Sequence, residues 1–259
     1  MIDAHAHLED DAFDEDREEL INNLKADGVD LVFNCGSSVE TSVQSIELAE
    51  KYENIYAIVG IHPLYADEFN EDTLREIEEL ATRDKVVAIG EIGLDNHYED
   101  APSKDQQMEA FLAQLELAKK LNMPIVIHSR DAHKVTFDIL KAERDKNPDF
   151  VCLLHCYSGS VELMREYMKL GFYISLGGAT TFKNARVPKE VATEIPIDRL
   201  LLETDCPYMA PVPYRGKRCE PKHVLETAKN IAELRGITLE ELLEHTDANT
   251  YRFYRLEKS

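Results

Sequence analysis

The residues with the most chemistry to offer are histidines and carboxylates that close short apolar runs. His5 and His7 flank Ala6, His62 follows Gly60-Ile61, and His128 and His155 each end an apolar stretch. Glu91 follows Val86-Val87-Ala88-Ile89-Gly90, and Asp205 comes shortly after Leu200-Leu201-Leu202. On a strand, residues i and i+2 share a face with Cα atoms roughly 6.5–7 Å apart. Two imidazoles so placed can converge on one divalent ion, each bond being about 2.1 Å. A lone His-x-His is more often a surface pair or a satisfied core histidine. Here five of the nine histidines fall at the ends of four apolar runs. Imidazoles are costly to bury unpaired, so this clustering asks for a partner that takes many lone pairs, such as a metal. A carboxylate can bridge two ions, and two ions about 3.5–4 Å apart clamp the attacking and leaving oxygens of a phosphoryl displacement. Glu91 suits that use, because Gly90 and Gly93 beside it allow close approach. For Asp205, capping a helix is the competing use.

Elements must bring these residues together. Strands are expected over residues 1–7, 29–35, 55–61, 86–93, 123–128, 150–155, 172–176 and 200–205. Most are continuously apolar, as parallel strands covered on both faces are. Their starts advance by about 28 residues, the size of one strand–helix unit. Between them lie amphipathic runs. Ser103 and Gln106 make a capping box ahead of Met108, Phe111, Leu112, Leu115 and Ala118. Residues 73–81, 131–146 and 161–169 also read as helices, and 221–256 as an all-helical tail broken at Gly236. Eight such units in one domain, 1–259, predict an α/β fold, a (β/α)8 TIM-type barrel with C-terminal helices. A doubly wound open sheet is the alternative, and no GxGxxG follows a strand to support its dinucleotide version. A barrel predicts catalytic groups at C-terminal strand ends, where the residues above fall.

Composition sets the outer limits. Of 259 residues 44% are hydrophobic, enough for a large core, and Gly and Pro are scattered. Lys and Arg number 29 against 50 Asp and Glu, a net charge of −21, which excludes a generic polyanion binder. Five cysteines at 35, 152, 156, 206 and 219 form no CxxC framework and suit a reducing compartment. Apolar runs are far shorter than the roughly 20 residues of a membrane helix, and the first residues carry no leader pattern. The expectation is a cytoplasmic protein with no membrane partner, a monomer or weak oligomer.

The motifs Ile2-Asp3-Ala4-His5-Ala6-His7-Leu8, Gly60-Ile61-His62-Pro63, Gly90-Glu91-Ile92-Gly93-Leu94-Asp95, Pro124-Ile125-Val126-Ile127-His128-Ser129-Arg130, His155-Cys156-Tyr157-Ser158-Gly159, Glu203-Thr204-Asp205-Cys206-Pro207-Tyr208 and Arg215-Gly216-Lys217-Arg218 resemble those of the TatD family of metal-dependent deoxyribonucleases. That family lies within the amidohydrolase-like TIM-barrel superfamily. The resemblance runs from residue 1 to Asn249-Thr250-Tyr251-Arg252-Phe253. It implies that His5, His7 and Asp205 hold one ion, that Glu91 bridges, and that His128 and His155 hold a second. It implies hydrolysis of DNA phosphodiesters with magnesium or manganese, as a 3′-5′ exonuclease on single-stranded DNA, with RNA as a further substrate that the sequence does not separate from DNA. Histidine-rich ligation also suits zinc. The sequence departs from the family at Leu64, where members often carry His, and at Cys219, where they often carry Asn.

Other residues have two uses each. Glu203 faces as Asp205 does, one layer deeper, and either orients a ligand histidine or joins a buried ion pair. His62 is a phosphate contact, an outer ligand, or a loop histidine beside Pro63. Arg130, Arg215, Lys217 and Arg218 would supply cations for phosphate. Tyr157 and Tyr208 either stack on bases or pack at the rim. His97, His133, His223 and His245 are expected at the surface, the cysteines in the core, and Glu9-Asp10-Asp11 on a solvated face. Asp205 is the expected proton acceptor for water. The rival reading is a metal-dependent deacylase or amidohydrolase, for example on D-aminoacyl-tRNA. A non-catalytic scaffold gains nothing from six ligand-type side chains at one mouth.

Overall fold

Eight parallel strands follow one another around the sheet in chain order in the computed structural model, which describes residues 1–257. Lys258 and Ser259, the end of the expected 1–259 domain, lie outside the described residues. The strands are β1 (Ile2–Ala6), β2 (Leu31–Cys35), β3 (Ile55–Val59), β4 (Val86–Asp95), β5 (Ile125–Arg130), β6 (Cys152–Leu154), β7 (Tyr173–Leu176) and β8 (Leu200–Leu202). The two ends of the sheet meet beyond β8, where the Asp205 N–H donates to the His5 carbonyl at 3.0 Å and the His7 N–H to the Cys206 carbonyl at 2.8 Å. The fold is the expected TIM-type barrel, and it closes through the segments that carry His5, His7 and Asp205. Strand limits differ at the functional end: β6 and β8 stop before His155 and Asp205, while β4 runs on through Asp95.

Helices α1 (Arg17–Asn23), α2 (Val39–Lys51), α3 (Glu71–Leu80), α4 (Lys104–Leu121), α5 (His133–Lys146), α6 (Val161–Lys169) and α7 (Arg186–Glu194) fall between strands. Their starts are chemically marked. Ser103 caps α4 in a reciprocal box with Gln106, Asn70 does the same for α3 with Thr73, and Ser160 caps α6. The tail splits into α8 (Val224–Arg235) and α9 (Leu239–Phe253) at Gly236, whose φ of +66° is a left-handed cap that favours glycine.

Alternation along each strand divides the apolar residues into two layers. Val32, Ala57, Val59, Ile125, Ile127, Leu154, Leu200 and Leu202 face the helices. Phe33, Cys35, Ile58, Ala88, Val126, Leu153 and Leu201 fill the barrel interior. The interior parity then continues two residues on, from Val126 to His128, Leu153 to His155 and Leu201 to Glu203. An apolar plug thus lies directly beneath the polar mouth. The last turn of α9 closes the opposite end: the Tyr254 ring stacks on Phe33 at 3.9 Å and its hydroxyl donates to the Ala4 carbonyl at 2.9 Å. Among the described residues, no helix is long and apolar enough to cross a membrane.

Candidate active site

Glu91 lies at the centre of the mouth, 3% exposed, with all five of the expected histidines around it. Its Oε1 is 2.6 Å from His128 Nδ1 and 2.6 Å from His155 Nε2. Its Oε2 is 3.3 Å from His5 Nε2 and 3.8 Å from His7 Nε2. Asp205 Oδ1 lies 3.4 Å from His7 Nε2 and 3.9 Å from His5 Nε2. The structure therefore brings together His5, His7, Glu91, His128, His155 and Asp205, from the ends of β1, β4, β5, β6 and β8. Two backbone features permit this. Asp205 adopts φ +59°, the left-handed region that Asp tolerates. Gly93 has φ +149°, and a Cβ there would meet the His128 carbonyl oxygen at 1.9 Å, so only glycine lets β4 pass beside His128.

Hydrogen bonds at the far ring nitrogens decide what each imidazole presents. His7 Nδ1 faces the Cys35 carbonyl at 2.7 Å, an acceptor only, so Nδ1 carries hydrogen and the neutral ring turns a lone pair inward from Nε2. That lone pair meets His5 Nε2 at 3.2 Å, next to the Asp205 and Glu91 oxygens. Nitrogens and carboxylate oxygens that converge this closely fit a cation, which would take the place of the protons between them. The ligand-type atoms of His5, His155 and Asp205 lie within 4.8 Å of one another, as do those of His62, Glu91 and His128. Those of His5, Cys35 and Glu91 do so as well, so the interior Cys35 also borders the site.

Charge follows from the same geometry. Burial alone would raise the Glu91 carboxyl, but His155, His62 and His128 hold it well below the usual carboxylate range. Burial works against charge on His155, yet Glu91 and Glu203 push its pKa well above an ordinary imidazole. Against burial, Asp205 and Glu9 raise His7, and Asp95 and Glu91 raise His128. Burial and the neighbouring His155 hold His5 low. Raised histidines keep protons at neutral pH until a cation displaces them, so affinity must climb as pH rises. We expect Mn2+ binding to tighten by about tenfold per pH unit between pH 6 and 8 for each proton displaced. Calorimetry in buffers of different protonation enthalpy counts those protons, and a pH-independent affinity would show the rings already neutral.

The remaining expected residues divide. His62 borders the site, its Nε2 3.5 Å from Glu91 Oε1. Its Nδ1 accepts the Leu64 N–H at 3.1 Å, so the neutral ring presents Nε2–H, a donor rather than a lone pair. Glu203 is fully buried, accepts the Cys156 N–H at 2.6 Å and the Ser175 hydroxyl at 2.6 Å, and lies 3.7 Å from His155 Nδ1. Arg130 lies over the Tyr98 ring at 5.1 Å and donates to its hydroxyl. Arg215 lies over Phe182 at 4.2 Å.

Three expectations need correction. Arg218 is no free phosphate cation: it grips Asp16 through two bonds of 2.7 and 2.6 Å, also reaches Glu220, and covers the Phe13 ring at 4.7 Å. With the Ala12 carbonyl at 2.9 Å, three acceptors claim it, and it ties the loop after β8 to the segment after β1. Arg218→Ala should therefore cost stability, about 1–2 kcal/mol from the ion pair and the ring contact, or roughly 2–8 °C in a melting curve. Glu9 is buried rather than solvated, because the Asn34 amide at 2.7 Å and the His7 ring at 3.4 Å demand an acceptor. His223 is buried against Tyr214, ring centroids 4.1 Å apart, accepting the Glu220 N–H. Tyr157 is buried with its hydroxyl on the Ser160 carbonyl, whereas Tyr208 stays 54% exposed at the rim.

Sequence reasoning also missed partners of the site. Asp95 Oδ2 takes His128 Nε2 at 3.0 Å. Its signal was the i, i+4 spacing from Glu91, which keeps both on one face of β4. Asp3 shares its parity with His5 and His7, and burial raises its carboxyl to about 8 although Thr204 donates to it twice.

A (β/α)8 barrel whose mouth gathers five histidines with Glu91 and Asp205 offers metal-ligand clusters where such barrels carry their active sites, and the relatives place the chain among metal-dependent hydrolases. The profile of the TatD-related DNase family matches residues 2–255, and the chain belongs to that family. It is 46% identical over 256 residues to "uncharacterized metal-dependent hydrolase YabD" of Bacillus subtilis (strain 168), covering 99% of both chains. It is 36% identical over 261 residues to "3′-5′ ssDNA/RNA exonuclease TatD" of Cronobacter sakazakii, covering 98% of this chain and 97% of that one. The crystal structure of the TatD homologue YJJV from Escherichia coli K12 superposes with a TM-score of 0.92 at 30% identity, covering 99% and 98% of the two chains.

Proposed function

We propose that this hydrolase is a divalent-metal-dependent phosphodiesterase acting on nucleic acid. His5, His7 and Asp205 hold one ion, His128 and His155 a second, and Glu91 lies between them. The observation that carries this reading is the division of Glu91, one oxygen toward each pair of imidazoles. Ions bound there, Mg2+ or Mn2+ and by ligand type also Zn2+, supply Lewis-acid polarisation and water activation. Asp205 is the least buried of the two carboxylates, 16% exposed against 4% for Glu91, and takes the proton of the attacking water. His62 offers its Nε2–H to a substrate oxygen. Glu203 steadies His155. The name of the Cronobacter relative supports single-stranded DNA or RNA as substrate and a 3′ starting point.

Such a substrate must approach a chain of net charge −21. Charges beyond about 8 Å are largely screened at physiological salt, so the mouth decides. Arg130 and Arg215 sit on aromatic rings rather than on carboxylates, leaving their guanidinium edges for phosphate. Arg215→Ala should raise KM for DNA several-fold and reduce the salt slope of binding by about one. Its melting temperature should fall by no more than a few degrees, because Arg215 is exposed and makes no ion pair among the described residues, leaving only a ring contact worth about 0.5–1 kcal/mol. An unchanged slope would remove Arg215 from the substrate path.

The decisive test is digestion of end-labelled single-stranded DNA with added Mn2+ or Mg2+, beside p-nitrophenyl acetate. Stepwise loss from the 3′ end that EDTA abolishes is the expected result. Ester hydrolysis with the DNA left intact would transfer the site to deacylase chemistry.

A further inference from the structure

Asp95 is 1% exposed at the last position of β4 and is held from every side. The Gln107 side chain accepts its N–H at 2.8 Å and donates to its carbonyl at 2.9 Å. Of its carboxylate oxygens, Oδ1 accepts the His97 N–H at 2.8 Å, and Oδ2 faces His128 Nε2 at 3.0 Å. On the other side of the ring, His128 Nδ1 points to Glu91 Oε1 at 2.6 Å and to His155 Nε2 at 3.4 Å.

We propose that Asp95 is a positioning residue that sets the tautomer of His128 and thereby readies one of the two metal positions. The proposal rests on the reading of His128 as a ligand. Carboxylates are acceptors only, so Asp95 and Glu91 each draw hydrogen onto the ring nitrogen they face; when a cation takes the place of the Nδ1 proton, Asp95 keeps hydrogen on Nε2 and leaves the Nδ1 lone pair for the ion. His7 receives the same service from the Cys35 carbonyl, whereas the Nδ1 atoms of His5 and His155 have no hydrogen-bond partner. His128 is therefore a ligand whose far ring nitrogen is hydrogen-bonded by a single replaceable side chain.

The geometry makes an unusual demand on the isosteric variant. The His97 N–H can only donate, so in Asp95→Asn the amide oxygen must take the Oδ1 position. The amide NH2 then faces His128 Nε2 and donates to it. Hydrogen moves to Nδ1, where Glu91 accepts it, and the lone pair needed by the cation is gone. Asp95→Ala removes the acceptor but forces no tautomer.

Mn2+ titration calorimetry on the full chain tests this. Asp95→Asn should weaken one Mn2+ equivalent by about 10–100-fold, and Asp95→Ala should weaken it less, with both variants melting as folded proteins. A merely structural Asp95 gives the opposite order, the isostere being milder, and that order would overturn the proposal. His128→Ala serves as reference. If it loses one ion while Asp95→Asn does not exceed Asp95→Ala, the ligand reading stands and the role of Asp95 falls. If His128→Ala keeps both ions, the ligand reading fails and this proposal fails with it. Should Asp95→Asn fold poorly, the imidazole 15N spectrum of the zinc-loaded wild type reads the tautomer directly. Hydrogen on His128 Nε2 is expected, and hydrogen on Nδ1 overturns the assignment.

Discussion

Glu91→Gln is expected to lower turnover by about 10³-fold, a barrier increase of about 4 kcal/mol, while the protein still melts as a folded barrel. The size follows from the position of the carboxylate. Each oxygen faces a different pair of imidazoles, and the group as a whole carries the charge that balances them. An amide keeps the shape but offers one weak acceptor and one donor. The donor side would point N–H at nitrogens whose lone pairs are already committed, so one of the two pairs loses its carboxylate. Steady-state kinetics at saturating Mn2+ with a melting curve make the measurement. Activity within a few-fold of wild type would show that Glu91 does not link the two pairs.

At the opposite end of the barrel, Phe33→Ala is expected to be the most damaging single change to stability. Phe33 is fully buried between Tyr254, centroids 3.9 Å apart, and Tyr56, 5.6 Å apart. Removing a buried phenylalanine ring typically costs about 3–5 kcal/mol, because the surrounding atoms only partly collapse into the space. For a chain of this size that lowers the melting temperature by roughly 6–20 °C. Mn2+ stoichiometry in the folded fraction should be unchanged, since the ring packs on the α9 plug and not on the ligands. Loss of stability together with loss of an ion would show that the two ends of the barrel are coupled.

These two changes act on parts of the molecule that differ in how openly the sequence displays them. His5, His7, Glu91, His128, His155 and Asp205 stand out because each follows an apolar strand, and a parallel barrel presents all its strand ends to one mouth. The division of the strands into an inner and an outer layer was not legible, because continuously apolar strands carry no alternation that says which residues face the barrel interior. Helix starts were legible where the cap is local, as with Ser103 and Gln106. The limits of β6 and β8 were not, because pairing to a neighbour, rather than apolar character, decides where a strand stops.

Partnerships across the fold were hidden altogether. Nothing near position 218 announces that Arg218 pairs with Asp16, or near position 9 that Glu9 serves Asn34 and His7. Asp95 shares a short motif with Glu91, but its use depends on His128, 33 residues away. Spacing by itself determined eight strand–helix units and placed histidines and carboxylates at the strand ends, because strands and helices are dictated by spacing of a few residues, and the motif resemblance chose the barrel over an open sheet. Only the tertiary structure decided which oxygen meets which nitrogen, which ring nitrogen keeps its hydrogen, and which cations stay available. Hydrogen bonds and ion pairs act over about 3 Å, and only the folded chain brings residues distant in sequence that close.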